Sequence, residues 1–272
     1  MKVVAAKFPA NKFSDEEWRV RQDLAACYRL FVHYGWTDLI FTHLSARVPQ
    51  HGDQYLINPY GLLFSEITAS NLIKVDFAGH VLQGDYPYNA AGHSIHTAIL
   101  KARPDVNAVL HSHTRAGMAV SCMECGLLPL TQQANEVGGI VCYHKYGVVP
   151  NDQPGDQPGD QPGNQPGNQE ECRKLGEDMA DKWLMIMHNH GLLAAGRTVA
   201  EAFYHLYTLE NACKVQVDVM SSGAKHWLPE AGAVKQLNDY GAPPPQAPGD
   251  FVTRSWEAVI RMLDRQDPAY KQ

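Results

Sequence analysis

The sequence predicts an α/β protein built around one substantial core. A chain of 272 residues that is 44% hydrophobic is long enough to bury such a core, and it suits one domain with extensions. Apolar residues follow helical spacing near the N-terminus and strand-like spacing over residues 40–82, and the two patterns alternate from residue 89 onward.

The first predicted helix has a clear start and end. Ser14 followed by Glu17 forms a capping box, and apolar residues recur at helical spacing from Trp18 to Val32. Gly35 follows this run and is typical of a helix end. We expect the apolar stripe of this helix to form the first wall of the core.

The segment after this helix predicts antiparallel sheet. Short apolar runs are separated by Asn58-Pro59-Tyr60-Gly61 and by Ala78-Gly79, which are residues typical of tight turns. The predicted strands are 40–48, 55–57, 72–75 and 80–82.

The rest of the chain alternates between the two patterns. The predicted helices are 89–102, which Pro104 ends, then 114–123, 170–182, 199–220 and 251–263, and the predicted strands are 108–110, 139–143 and 183–187. We interpret Cys122 and Cys125 as packing residues in a helix, because a structural zinc site would need a second cysteine pair.

A tetrapeptide repeat interrupts this pattern. Asp/Asn-Gln-Pro-Gly occurs four times between Asp152 and Gly167, which predicts an exposed, mobile tether. We therefore predict a domain over residues 1–225 with a Pro/Gly-rich loop at 151–169, and a C-terminal extension at 226–272 that ends in a helix.

Charge and hydropathy exclude several classes of partner. The net charge of −6 indicates neither a nucleic-acid-binding protein nor one attracted to anionic membranes. The N-terminus lacks the apolar region of a signal peptide, and no apolar run is long enough to span a bilayer. We expect a cytoplasmic protein that acts on a small molecule.

Two histidine pairs suggest a metal centre. His111 and His113 follow the apolar run 108–110, and His188 and His190 follow a second apolar run with the same spacing. Residues two apart share one face of a strand, so each strand end can present imidazoles to one divalent ion. Single histidines at strand ends are usually ordinary hydrogen-bonded residues, but two such pairs favour a three-histidine centre with open positions.

Several motifs around these histidines resemble the class II aldolase/adducin family. They include His111-Ser112-His113, His190-Gly191-Leu192, Leu44-Ser45-Ala46-Arg47 and Asn58-Pro59-Tyr60-Gly61-Leu62, within a match from about Val20 to Val219. The sequences at 89–93 and 125–129 are more similar to the adducin head and its bacterial relatives than to the sugar-phosphate aldolases.

The resemblance implies an α/β/α sandwich around a central, mostly antiparallel sheet. It also implies a homotetramer with active sites at subunit boundaries, and a divalent metal bound by His111, His113 and His190, with His188 outside the ligand set. Zinc is the expected ion, with iron(II) or manganese as alternatives.

Departures from the family pattern bear on the chemistry. The aldolases have a catalytic glutamate where this chain has Gly92, and phosphate-binding residues where it has Ala90, Ala91, Thr42 and His43. These departures from the family pattern predict a substrate without a phosphate group.

We expect a metal-dependent carbon–carbon lyase, either a decarboxylase or an aldolase, acting on a keto acid, a hydroxy acid or a related carbonyl compound. The metal would stabilise an enolate. Candidate proton donors are His93, His43 and Tyr143, and we interpret His96 as a structural hydrogen-bond partner. The alternatives are a non-catalytic, adducin-like scaffold and a non-haem iron(II) oxygenase of a 2-oxo acid.

Overall fold

A computed structural model describes residues 12–145, 166–230, 232–236 and 250–272. The predicted tether at 152–167 lies outside these ranges except for its last two residues, Pro166 and Gly167, which begin a helix.

One mixed sheet of eight strands forms the centre of the protein, in the order β4-β3-β2-β1-β5-β8-β7-β6. Neighbouring strands are antiparallel except β6 and β7, which are parallel. This confirms the predicted α/β class with a mostly antiparallel sheet. The strands are β1 His43–Val48, β2 His51–Ile57, β3 Ile73–Asp76, β4 Val81–Gln83, β5 Ala108–Ser112, β6 Val141–His144, β7 Leu184–Met187 and β8 Gly191–Gly196.

Helices cover both faces of the sheet. In the described ranges, the helices longer than five residues are α1 Asp15–Tyr34, α2 Ala90–Ala102, α3 Arg115–Ser121, α4 Gln132–Gly138, α5 Pro166–Met179, α6 Val199–Ser221 and α7 Asp250–Gln266. Alternate residues of β5 enter two separate cores, because successive strand residues point to opposite faces. Leu110 packs in the core that contains residues of α1 and α6, and Val109 packs in the core that contains residues of α2 and α5.

Helix α1 begins and ends as predicted. The Ser14 side chain accepts a hydrogen bond from the backbone N–H of Glu17, and Gly35 ends the helix with a left-handed φ of 69°. Within the helix, the fully buried Arg21 donates to Glu17 and to the backbone carbonyls of Ala69 and Leu72. These bonds attach α1 to the segment that leads into β3.

The C-terminal residues pack against the main core. The predicted terminal helix is α7, and its Trp256 ring lies 5.7 Å from the ring of Phe203 in α6. The backbone N–H groups of Ala69 and Ser70 each donate to a carbonyl of the final turn, at 2.8 Å from Tyr270 and from Gln272. The boundary at residue 226 stays a prediction.

Two elements and one cysteine assignment differ from the sequence prediction. Helix α4 and strand β8 were not predicted, and β8 reads Gly-Leu-Leu-Ala-Ala-Gly, whose small residues have low strand propensity. Helix α3 ends at Ser121, so the interpretation of Cys122 and Cys125 as helix packing residues was wrong: both are exposed in the turn that follows.

An ionic cluster joins β6 to α5. Nε2 of the buried His144 lies 2.8 Å from Glu171, and its Nδ1 lies 2.8 Å from Asp178. Both ring nitrogens of His144 therefore face carboxylate oxygens, which accept hydrogen bonds. Among the described residues, no helix is both long enough and apolar enough to cross a membrane.

Candidate metal centre

Local backbone geometry positions the histidines predicted to bind metal. His111 lies in β5, His113 follows that strand, and Thr114 then caps α3 by accepting from the N–H of Gly117. His190 lies in the turn between β7 and β8, after Asn189 with a left-handed φ of 58°. The next residue, Gly191, lets β8 approach β5 closely, because a Cβ there would lie 2.4 Å from the Ser112 carbonyl oxygen.

Three imidazole nitrogens converge at this end of the sheet. Nε2 of His111 lies 2.9 Å from Nε2 of His113 and 3.1 Å from Nε2 of His190. The corresponding distance between His113 and His190 is 2.9 Å. These separations suit three nitrogens on one ion at a bond length of about 2.1 Å. The structure thus brings together the three predicted ligands, whereas the His188 ring packs 5.8 Å from the ring of Tyr143.

The hydrogen bonds on the other side of two rings support metal binding. Nδ1 of His111 lies 2.9 Å from the carbonyl oxygen of Leu192, and Nδ1 of His113 lies 2.9 Å from Oδ2 of Asp38. Both oxygens accept, so each Nδ1 carries the proton and each Nε2 presents a lone pair. Two lone pairs 2.9 Å apart repel each other unless a cation or a proton lies between them. The donor set therefore fits a divalent metal ion, for which His111, His113 and His190 are the candidate ligands.

Burial keeps the rings of His111 and His190 in the neutral form that binds metal. Desolvation, followed by the neighbouring His190, lowers the pKa of His111 well below its ordinary value. Desolvation and the neighbouring His113 lower the pKa of His190 to about 4. At neutral pH both imidazoles are therefore free of the extra proton that would compete with an ion.

His43 lies directly beside this cluster. It pairs with His111 across β1 and β5, and the two ring centroids are 5.2 Å apart. Its ring fills the space next to Gly92 at the start of α2, where an added Cβ would lie 2.5 Å from Cδ2 of His43. There is consequently no room at residue 92 for the glutamate of the sugar-phosphate aldolases.

The other two candidate proton donors make contacts elsewhere. His93 is buried with Nδ1 at 2.7 Å from the hydroxyl of Tyr55, and its ring lies 5.2 Å from that of Tyr88. The Tyr143 hydroxyl accepts from the backbone N–H of Leu127 at 2.9 Å. Of the three candidates, His43 is the one whose ring lies beside that of His111, a candidate metal ligand. The catalytic role of each candidate stays a prediction.

Asp38 is a feature of the site that the sequence prediction missed. It lies in the loop between α1 and β1, next to Leu39 and Thr42, which both have positive φ. Its carboxylate contacts His113 across 75 residues of sequence. An acidic residue in a loop before a strand carries no signal of such a contact.

Comparison with known proteins identifies the family. The family described as Class II Aldolase and Adducin N-terminal domain matches residues 22–217. The chain therefore belongs to the class II aldolase and adducin family, as the motifs predicted.

Individual relatives include both bacterial and animal proteins. A putative aldolase class 2 protein of Pseudomonas aeruginosa is 44% identical over 95% of this chain and 94% of its own length. The crystal structure of an aldolase II superfamily protein from Pseudomonas syringae has a TM-score of 0.84 at 40% identity, covering 96% of this chain and 98% of the other. Rat alpha-adducin is 36% identical over 90% of this chain, which corresponds to 33% of that protein.

Proposed function

We propose that this protein is a metal-dependent carbon–carbon lyase, a decarboxylase or an aldolase, acting on a non-phosphorylated keto acid, hydroxy acid or related carbonyl compound. The observation that carries the proposal is the convergence of the three Nε2 atoms of His111, His113 and His190 within 3.1 Å of one another. A divalent ion held there, with zinc expected, would polarise a substrate carbonyl and stabilise the negative charge left when an adjacent carbon–carbon bond breaks.

The surroundings of the site suit a substrate without a phosphate group. Ala90, Ala91 and Gly92 at the start of α2 offer no hydroxyl or charged side chain. The N–H of Gly92 donates to Oδ1 of Asn89, so this cap occupies a backbone donor that a phosphate would otherwise use. A carboxylate or a hydroxyketone that binds through two oxygens needs no such cradle.

Of the three candidate proton donors, His43 is the one whose ring lies beside the centre. Decarboxylation needs an electron sink and a later proton donor, but it needs no base to remove a hydroxyl proton. It therefore tolerates the loss of a glutamate at residue 92 better than retro-aldol cleavage does. His93 and Tyr143 stay as candidates for a donor that approaches from elsewhere.

The test begins with protein purified without added metal. We expect one divalent ion per chain by elemental mass spectrometry, and product release from a panel of 2-oxo and hydroxy acids under anaerobic conditions. His111→Ala should abolish both metal and turnover. His188→Ala is the matched control, because it removes the first histidine of a pair with the same spacing and should retain both. Turnover that survives complete removal of metal would contradict the proposal.

A second candidate is an adducin-like scaffold, favoured by the 36% identity with alpha-adducin. In that case the wild-type protein would purify without stoichiometric metal, and His111→Ala would leave its assembly state unchanged by light scattering. Oxygen consumption on addition of a 2-oxo acid to iron-loaded protein would instead indicate the other alternative, a non-haem iron(II) oxygenase.

A further inference from the structure

Three buried polar side chains form a hydrogen-bonded chain beside the metal centre. Oγ of Ser45 lies 2.5 Å from Nδ1 of His96, and Nε2 of His96 lies 2.8 Å from Nδ1 of His43. Ser45 and His96 are fully buried, and His43 is 3% exposed. Buried polar groups are almost always hydrogen-bonded, so the proton positions in this chain are set by its own donors and acceptors.

The direction of the hydrogen bonds from Ser45 through His96 to His43 follows from the position of Ser45. In the described part of the molecule, His96 is the hydrogen-bond partner found for the Ser45 side chain. If Nδ1 of His96 carried a proton and donated it, the Ser45 hydroxyl proton would lack an acceptor in a fully buried position. The hydroxyl therefore donates to Nδ1 of His96, and Nε2 of His96 donates to Nδ1 of His43. A neutral His43 then carries its proton on Nε2.

The surroundings of His43 hold the ring in place. The ring lies against Gly92 and beside His111. Because Nδ1 is engaged by His96, and because no described residue makes a hydrogen bond to Nε2, the Nε2–H group is left for a bound molecule.

We propose that Ser45 and His96 position His43 as an Nε2–H donor to an oxygen atom of the substrate, and that His43 is not a fourth metal ligand. A nitrogen that carries a proton has no lone pair for an ion. A neutral N–H donor suits the carboxylate of a 2-oxo or hydroxy acid, or an oxygen that becomes negative during the reaction. The substrate part of this inference rests on the proposed function, whereas the proton position does not.

The proton position can be measured by NMR of protein labelled with ¹⁵N histidine, with and without metal. We expect His43 and His96 both to be protonated on Nε2, and Ser45→Ala to change the tautomer ratio of His96, with Ser45→Thr restoring it. Ser94→Ala, on the adjacent helix α2, is the control. A His43 protonated on Nδ1 in the wild-type protein would overturn the inference.

Binding of oxalate to the Co²⁺-loaded protein tests the role of the donor. Oxalate is a bidentate dianion that resembles an enolate of a 2-oxo acid, and its binding changes the visible spectrum of Co²⁺. Ser45→Ala should weaken oxalate binding about tenfold, because a misdirected tautomer loses one charge-assisted hydrogen bond, and should leave Co²⁺ affinity unchanged. Ser45→Thr should restore it.

The outcomes separate the two proposals. If His43→Phe changes the Co²⁺ spectrum in the absence of oxalate, His43 is a ligand and the inference fails while the metal site stands. Unchanged oxalate affinity in Ser45→Ala would also overturn it. If the wild-type protein binds no Co²⁺, the proposed function fails, and the tautomer measured in metal-free protein still decides the proton position.

Discussion

The imidazole of His43 occupies the space that any side chain on residue 92 would need. A Cβ on Gly92 would lie 2.5 Å from Cδ2, 2.7 Å from Cγ and 2.9 Å from Nε2 of His43. Contacts this short cannot be accommodated without moving the ring, and the ring is held by His96. Histidine at position 43 and glycine at position 92 are therefore structurally coupled, because the ring fills the space that a side chain at 92 would need.

Gly92→Ala should consequently destabilise the protein, although alanine normally favours a helix. We expect a loss of about 1–3 kcal/mol in the free energy of unfolding, which is typical of overpacking, measured by urea denaturation. Gly52→Ala is the control, because a Cβ there meets nothing within 4 Å. In a His43→Ala background, the cost of Gly92→Ala should largely disappear, and additive costs would contradict the shared space.

The metal-free protein should lose stability as the pH falls below about 6.5. His190 has a pKa of about 4 in the folded protein and an ordinary value of 6.5, so the unfolded chain binds more protons between these values. The free energy of unfolding therefore decreases towards low pH, by up to about 3 kcal/mol from this residue. Denaturation of chelator-treated protein at pH 7 and pH 5 tests this, and His190→Gln should reduce the dependence, because other buried histidines such as His111 still contribute.

Asp38→Asn should weaken metal binding without unfolding the protein. The carboxylate of Asp38 orients His113 and increases the basicity of its Nε2, and loss of such a partner typically costs about 10- to 100-fold in metal affinity. Competition with a chromogenic chelator measures this. Asp53→Asn makes the same charge change in β2 and should retain wild-type affinity. Equal affinity in the two variants would remove Asp38 from the site.

His144→Gln should be among the more destabilising substitutions at an ion pair. It leaves the carboxylates of Glu171 and Asp178 without their shared hydrogen-bond partner, and we expect a cost of about 1–2 kcal/mol, mostly from Glu171, since Asp178 is 44% exposed. His80→Ala removes the exposed pair with Asp76 and should change stability by less than about 0.5 kcal/mol. Similar thermal shifts for both variants would show that burial of His144 adds nothing.

Local signals in the sequence were sufficient to predict much of the fold. Both ends of α1 follow from Ser14 and Gly35, whose side-chain chemistry and φ preference act within a few residues. Strand β8 was missed because its six residues include two glycines and two alanines, and they form a strand only through burial between β5 and β7.

The candidate site could likewise be predicted only in part from the sequence. Spacing alone pointed to two histidine pairs, but it could not separate His188 from His190. The separation depends on the left-handed turn at Asn189 and on the bond from the His188 N–H to the carbonyl of His144. The pairings of Asp38 with His113 and of His43 with Gly92 join distant segments, so sequence periodicity contains no information about them.

The ion cluster at His144 also has a use in protein engineering. It links the end of β6, one residue before Lys145, to α5, which begins at Pro166. These two elements lie on either side of the segment that contains the tetrapeptide repeat. Between two fixed ends, the entropic penalty of lengthening a flexible chain grows slowly, by about 0.6 kcal/mol for each doubling of length. We therefore expect an epitope tag inserted between residues 152 and 163, within the predicted tether, to leave the free energy of unfolding nearly unchanged.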